Sequence, residues 1–141
     1  MERELNIVYL GLGSNIGDKI ANLQKAILLI ETKIGAVSKK SNLVYSSPQG
    51  FMSPNDFVNM AVKLSTVFDP FELLDGIEEI EKALGRTEKS NGIYKDRIID
   101  IDILLFNQEI INHVRLTIPH PLIDSRDFVS IPLSQILDKK K

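Results

Sequence analysis

RIIDIDILLF, residues 97–106, is apolar enough to be a buried strand, yet it carries two aspartates two positions apart. Side chains in a strand alternate between faces. One face is Ile99, Ile101, Ile103 and Leu105; the other is Ile98, Asp100, Asp102, Leu104 and Phe106. The two carboxylates therefore stand roughly 7 Å apart or less on a face that is otherwise hydrophobic. Two like charges in that setting call for a cation between them.

The segments on either side alternate in period. LNIVYLG (5–11) is rich in β-formers and reads as a strand. Ile20, Leu23, Ile27, Ile30 and Ile34 then recur at helical spacing, with Gly35 placed as a C′ glycine. Residues 36–47 and 57–67 read as two strands separated by PQGFMSPND (48–56). Asp69, Pro70 and Glu72 carry the N-cap, N1 and N3 signals of a second helix, whose apolar stripe runs from Leu73 to Leu84 and which Gly85 closes. The loop 86–97 leads into the opening strand. A short strand near 109–112 is expected to pair with it, and a short helix is expected near 125–130. The order is β-α-β-β-α-β with a short C-terminal extension. This predicts an α+β chain with a ferredoxin-like antiparallel sheet, two helices on one face, and the other face left for a cover or a ligand.

Composition narrows the classes. The 141 residues fit a single domain, 1–141, with a sizeable core. Net charge is −2, and no basic face is apparent, which argues against nucleic acid as a partner. There is no cysteine, so disulfides, thiolate chemistry and Cys-type zinc sites are excluded. No apolar run approaches the ~20 residues of a membrane span, and the N-terminus lacks the pattern of a signal peptide. A cytoplasmic monomer is expected.

The chemistry-bearing residues cluster late in the chain. Asp100 and Asp102 form an all-oxygen, hard donor pair of the kind that holds Mg²⁺ together with water and substrate phosphates. Four of the five arginines, Arg86, Arg97, Arg115 and Arg126, fall between residues 86 and 126. Arginine suits planar phosphate recognition, so carboxylates for a metal beside arginines for phosphates suggest phosphoryl-type transfer. LTIPHP (116–121) holds His120 between two prolines that restrict its backbone. GLGSNIGD (11–18) fails both phosphate-loop patterns, with Ile16 where a dinucleotide fingerprint needs Gly and no GK[ST]. It reads instead as a tight glycine turn capped by Asn15 or Asp18.

LGSN (12–15), VNMAV (58–62), the run Arg97–Phe106 and LTIPHP together resemble the 6-hydroxymethyl-7,8-dihydropterin pyrophosphokinase family of folate biosynthesis, in order and over nearly the whole chain. The resemblance implies an ATP-dependent diphosphotransferase whose substrates are ATP and 6-hydroxymethyl-7,8-dihydropterin. It implies two Mg²⁺ ions held by Asp100 and Asp102, with Arg86, Arg97, Asp100, Asp102 and His120 as the catalytic set. ATP would be bound by Glu81, Arg86, Arg97, Ile103, Thr117, His120 and Arg126. The pterin would be bordered by Ser47, Pro48 and Gly50, sandwiched by Phe57 and Phe128, and hydrogen-bonded by Asn59. Segments 46–56 and 86–97 would act as lids. The chain departs from the pattern at Tyr94, where the family often has Trp, and at Glu88, where a second basic residue is common. The alternative is a ferredoxin-like sensor that binds Mg-nucleotide without turning it over.

Overall fold

The computed structural model describes residues 3–47, 55–85 and 97–138; Pro48, Gly50 and Arg86 lie outside them. In chain order the elements are β1 (Asn6–Ser14), α1 (Lys19–Lys33), β2 (Gly35–Lys40), β3 (Val44–Ser46), β4 (Phe57–Thr66), α2 (Pro70–Ala83), β5 (Asp100–Phe106), β6 (Ile111–His113), β7 (Leu116–Ile118) and α3 (Asp127–Ile136). The main sheet runs β2-β4-β1-β5, antiparallel throughout, with β3 also on β4. Each long helix carries the chain past one intervening strand: α1 from β1 to β2 across β4, and α2 from β4 to β5 across β1. This is the expected ferredoxin-like arrangement.

Local chemistry sets the helix ends. The Asp18 side chain accepts the Ala21 N–H at the start of α1. Asp69 forms a full capping box with Glu72, with Pro70 opening α2. Gly85 has φ +106 just past α2, the left-handed stop expected of it. Gly35 plays a different part from the one its position suggests. It opens β2, and a Cβ there would stand 1.9 Å from the Ser65 carbonyl oxygen, so glycine is required by the close approach of β2 to β4.

Alternation along β1 and β4 sends Val8, Leu10, Leu12, Val62 and Leu64 into the main core with Ile27, Ile30, Ile77 and Ile80 of α1 and α2. The opposite face carries Tyr9, Ala61 and Leu104 against Leu133 and Ile136 of α3. The second face is thus partly covered by α3. That helix runs six residues beyond the expected 125–130 and tolerates Pro132 in its interior, the residue that hides its length in the sequence.

Three expectations are corrected. β1 continues through Gly11 and Gly13 to Ser14, so the first two glycines belong to a strand and the turn begins later. The stretch 36–47 is two strands, β2 and β3, because the chain breaks at Ser41–Leu43, where the Ser41 hydroxyl accepts the Ala61 N–H. β6 pairs with β7 and not with β5. Asn107 turns the chain out of the sheet at φ 50, and the β6–β7 turn at Val114 and Arg115 contains no Gly or Asn to signal it.

The opening stretch also holds a bulge. Leu10 opposes Ile103 while Tyr9 opposes Leu105, so Leu104 is the extra residue on β5. The bulge resets the alternation. Ile99, Ile101, Ile103 and Phe106 all enter the main core, and Leu104 and Leu105 face α3. Phe106 therefore leaves the face of the aspartates, where strict alternation would place it.

Candidate active site

Strand register assembles the site. Val44 opposes Asn59, Asn59 opposes Gly13, and Gly13 opposes Asp100, giving one row across β3, β4, β1 and β5. The adjacent row is Ala61, Gly11 and Asp102. Opposed residues share a face, so both aspartates and Asn59 lie on the α3 side of the sheet. Asn59 and Asp100 are two strand spacings apart, roughly 10 Å. Among the described residues, the strand positions between and beside them are Gly13, Gly11 and Ala61, with the Phe57 and Leu104 side chains at the margins. The outcome is a floor of small residues, with an amide on one side and two carboxylates on the other, and with α3 seated on Tyr9 and Ala61 at one end.

His120 completes the carboxylate side. Its Nε2 lies 3.9 Å from Asp102 Oδ1. Its backbone N–H donates to the Leu104 carbonyl on the bulge, and its Nδ1 accepts the Leu122 N–H. A neutral ring with Nδ1 accepting carries its proton on Nε2, the nitrogen that faces Asp102. Burial lowers the His120 pKa, and the negative charge of Asp100 opposes that shift. Thr117 is exposed on β7 two residues before Pro119, which follows a cis peptide.

On the amide side, Asn59 is 5% exposed and donates to the Val44 carbonyl and to Ser46 Oγ. With both amide protons engaged, its Oδ1 is the acceptor it presents. Phe57 begins β4 two residues earlier and points the same way. Ser47 follows β3 and is exposed; Phe128 lies half-buried in the first turn of α3, after Arg126 at its N-cap.

Of the two caps expected in 11–18, Asp18 serves at the start of α1, while Asn15 reaches much further along the chain. Asn15 is fully buried. Its Oδ1 accepts the Arg97 N–H at 2.6 Å, its own N–H donates to the Arg97 carbonyl, and its Nδ2 donates to the Asn55 carbonyl. One side chain thus holds the residue that precedes β4 by two and the residue that precedes β5 by three. Its partners are 40 and 82 positions away, so local pattern gives no sign of them.

Three other residues sit apart from the row. Glu81 is buried on α2, and its Oε2 accepts the Ile101 N–H at 2.9 Å, fixing the outer edge of β5 from the helix side. The Ile103 side chain is buried in the main core; what it can offer a ligand is the backbone edge of β5. Arg115, counted among the arginines near the aspartates, turns to α2 and pairs with Asp75 and Glu78 at 2.9 Å each, which raises its pKa. These pairs link the β6–β7 ribbon to α2.

Residues 9–138 match the family model described as 7,8-dihydro-6-hydroxymethylpterin-pyrophosphokinase. The 2-amino-4-hydroxy-6-hydroxymethyldihydropteridine pyrophosphokinase of Porphyromonas gingivalis is 43% identical over 132 residues, covering 92% of this chain and 90% of that one. The Bacillus subtilis protein of the same name is 42% identical over 132 residues, covering 93% and 78%. Among solved structures, the HPPK-DHPS of Plasmodium falciparum with pteroate superimposes with a TM-score of 0.78 over 100% of this chain and 40% of that one. At 18% identity that likeness speaks for the fold alone. With a family model spanning 9–138 and relatives above 40% identity over nearly the full length, the chain belongs to the 7,8-dihydro-6-hydroxymethylpterin-pyrophosphokinase family.

Proposed function

We propose that this chain transfers the pyrophosphoryl group of ATP to the hydroxymethyl group of 6-hydroxymethyl-7,8-dihydropterin, giving AMP and the pterin diphosphate, a step of folate biosynthesis. The observation that supports the reading is the row Asn59–Gly13–Asp100, which sets an amide roughly 10 Å from a carboxylate pair across a strand position that bears no side chain.

The donor set fits Mg²⁺. Asp100 and Asp102 offer only carboxylate oxygens, and the Asp102 side chain is 47% exposed. Among the described residues, no group of three or more His, Cys, Asp or Glu forms a metal cage. The remaining coordination would fall to water and phosphate oxygens, the mode Mg²⁺ favours; two ions are expected with ATP. When bound, Mg²⁺ offsets the negative charge of the triphosphate.

The protein's own groups do the positioning. Phe57 and Phe128 take the faces of the flat pterin, and Asn59 Oδ1 accepts from a ring N–H. Arg97, Arg126 and the His120 Nε2–H meet phosphate oxygens, with Arg86 from the segment before β5. Glu81 keeps Ile101, between the two aspartates, in place. The pterin hydroxyl oxygen attacks the β-phosphorus in line, the bond from that phosphorus to the bridging oxygen of the α-phosphate breaks, AMP leaves, and the hydroxyl proton passes to solvent. Alignment and charge neutralisation supply the rate.

Phosphorus-31 NMR of protein, Mg²⁺, ATP and the reduced hydroxymethylpterin tests this. The expected spectrum shows AMP and a pterin diphosphate appearing together. ADP as the product, or nucleotide bound but unchanged, contradicts the reading; the latter is what a non-catalytic sensor would give.

A further inference from the structure

Gly13 is an odd residue for its place. It lies in β1, paired on both sides, and its φ is not in the left-handed region, so the backbone does not require glycine. Glycine in a central strand costs stability unless something approaches closely. Here something does. A Cβ at Gly13 would stand 3.0 Å from Asn59 Oδ1 and 3.5 Å from Phe57 Cδ1, with the Val58 carbonyl oxygen at 3.9 Å. At Gly11, one row away, the nearest atoms are only the flexible tips of Leu104, at 3.4 Å. Asn59 has little room to give, because its Nδ2 is tied to Val44 at 3.1 Å and to Ser46 at 2.8 Å.

We propose that Gly13 is a specificity-determining position: its missing side chain seats the Asn59 amide beside the Phe57 ring and keeps the floor between Asn59 and Asp100 open to a flat, bicyclic heteroaromatic ring. The proposal rests on the pterin reading above. A methyl group at this point has two effects. It presses on the one Asn59 atom not used by β3, and it raises the floor on the path from the amide to the carboxylates. Gly13 meets Asp100 only through the pairing of β1 with β5, and the atoms nearest an added methyl group belong to Asn59, Phe57 and Val58, so the change falls on the amide side.

The test is Gly13→Ala, titrated by calorimetry separately with 6-hydroxymethylpterin and with Mg²⁺ and α,β-methylene-ATP. Its melting temperature and the Asn59 side-chain amide signals in a ¹⁵N spectrum complete the measurement. Pterin affinity is expected to fall by about tenfold or more, the size of loss that one misplaced methyl group can cause. Nucleotide affinity should stay within about twofold, and the Asn59 amide signals should shift. The melting temperature should fall, because the tethered Asn59 amide cannot withdraw from the added methyl group, and that outweighs alanine's restriction of the unfolded chain. Unchanged pterin binding by Gly13→Ala, with the wild type binding normally, overturns the proposal, as does an equal loss of both ligands. Failure of the wild type itself to bind the pterin overturns the pterin reading, and this inference with it. If Gly13→Ala does not fold, Gly13→Ala with Asn59→Ser removes the crowded atom and should restore folding; failure of that pair also overturns the proposal.

Discussion

Asn15 and the two aspartates show what a sequence displays at the level of single residues and what it conceals. Asp100 and Asp102 stand out because two charges interrupt an apolar strand, a conflict visible within six residues. Asn15 makes its bonds to Arg97 and Asn55, distant in sequence, and only folding brings them together. Its replacement is therefore expected to act on the protein's stability and on the seat of Arg97 together. Asn15→Ala strands the Arg97 N–H, one of the polar groups Asn15 satisfies, at a cost of about 2 kcal/mol. Urea denaturation checks the size, and kcat should fall more than the affinity for nucleotide if Arg97 acts mainly in the transition state. A variant as stable as the wild type would show that the buried carboxamide is not needed there.

Among the elements, the long helices were legible and the short pieces were not. Caps at Asp18 and Asp69, apolar spacing and Gly85 mark α1 and α2 directly. α3 is interrupted by Pro132, β5 resets its alternation at Leu104, and β6–β7 turns without glycine; each is decided by packing instead of local preference. Leu133 is the main test of the α3 seat, being 3% exposed against the second face of the sheet. Leu133→Ala should cost about 3 kcal/mol by the usual cavity effect, seen as a lower urea midpoint, and should weaken pterin binding because Phe128 rides on the same helix. A loss under about 1 kcal/mol would mean that α3 is held elsewhere.

Acid sensitivity belongs to two exposed pairings that tie elements together. The Arg3 guanidinium, helped by the Asp69 backbone, holds the Glu72 carboxyl at about 2. Lys63 and Lys39 hold the Asp138 carboxyl, just past α3, at about 2. Both are depressed, so between their ordinary values of 4.5 and 3.8 and about 2 the unfolded chain binds more protons than the folded one. Their contribution is present above about pH 4.5 and is lost as pH falls toward 2. Both groups are solvent-exposed, so the slope should be shallow. Melting temperature followed from pH 6 to 2 should fall less steeply in the Glu72→Gln, Asp138→Asn double variant than in the wild type. Identical slopes would show that other carboxylates carry the acid response.

For the whole molecule, topology was legible because helix and strand periods alternate cleanly in a β-α-β-β-α-β order. The site was legible only as a set of residue types, since the register that places Asn59, Gly13 and Asp100 in one row is a property of three strands at once. The proposed chemistry depends on the carboxylate end of that row. Its most direct test is single-turnover formation of AMP from ATP and reduced hydroxymethylpterin, measured by rapid quench for the wild type and for Asp102→Asn. The predicted result is a loss of more than about 100-fold, or about 2.7 kcal/mol of barrier, with a melting temperature held or raised because one of two neighbouring like charges is gone. AMP formation by Asp102→Asn at close to the wild-type rate would contradict it.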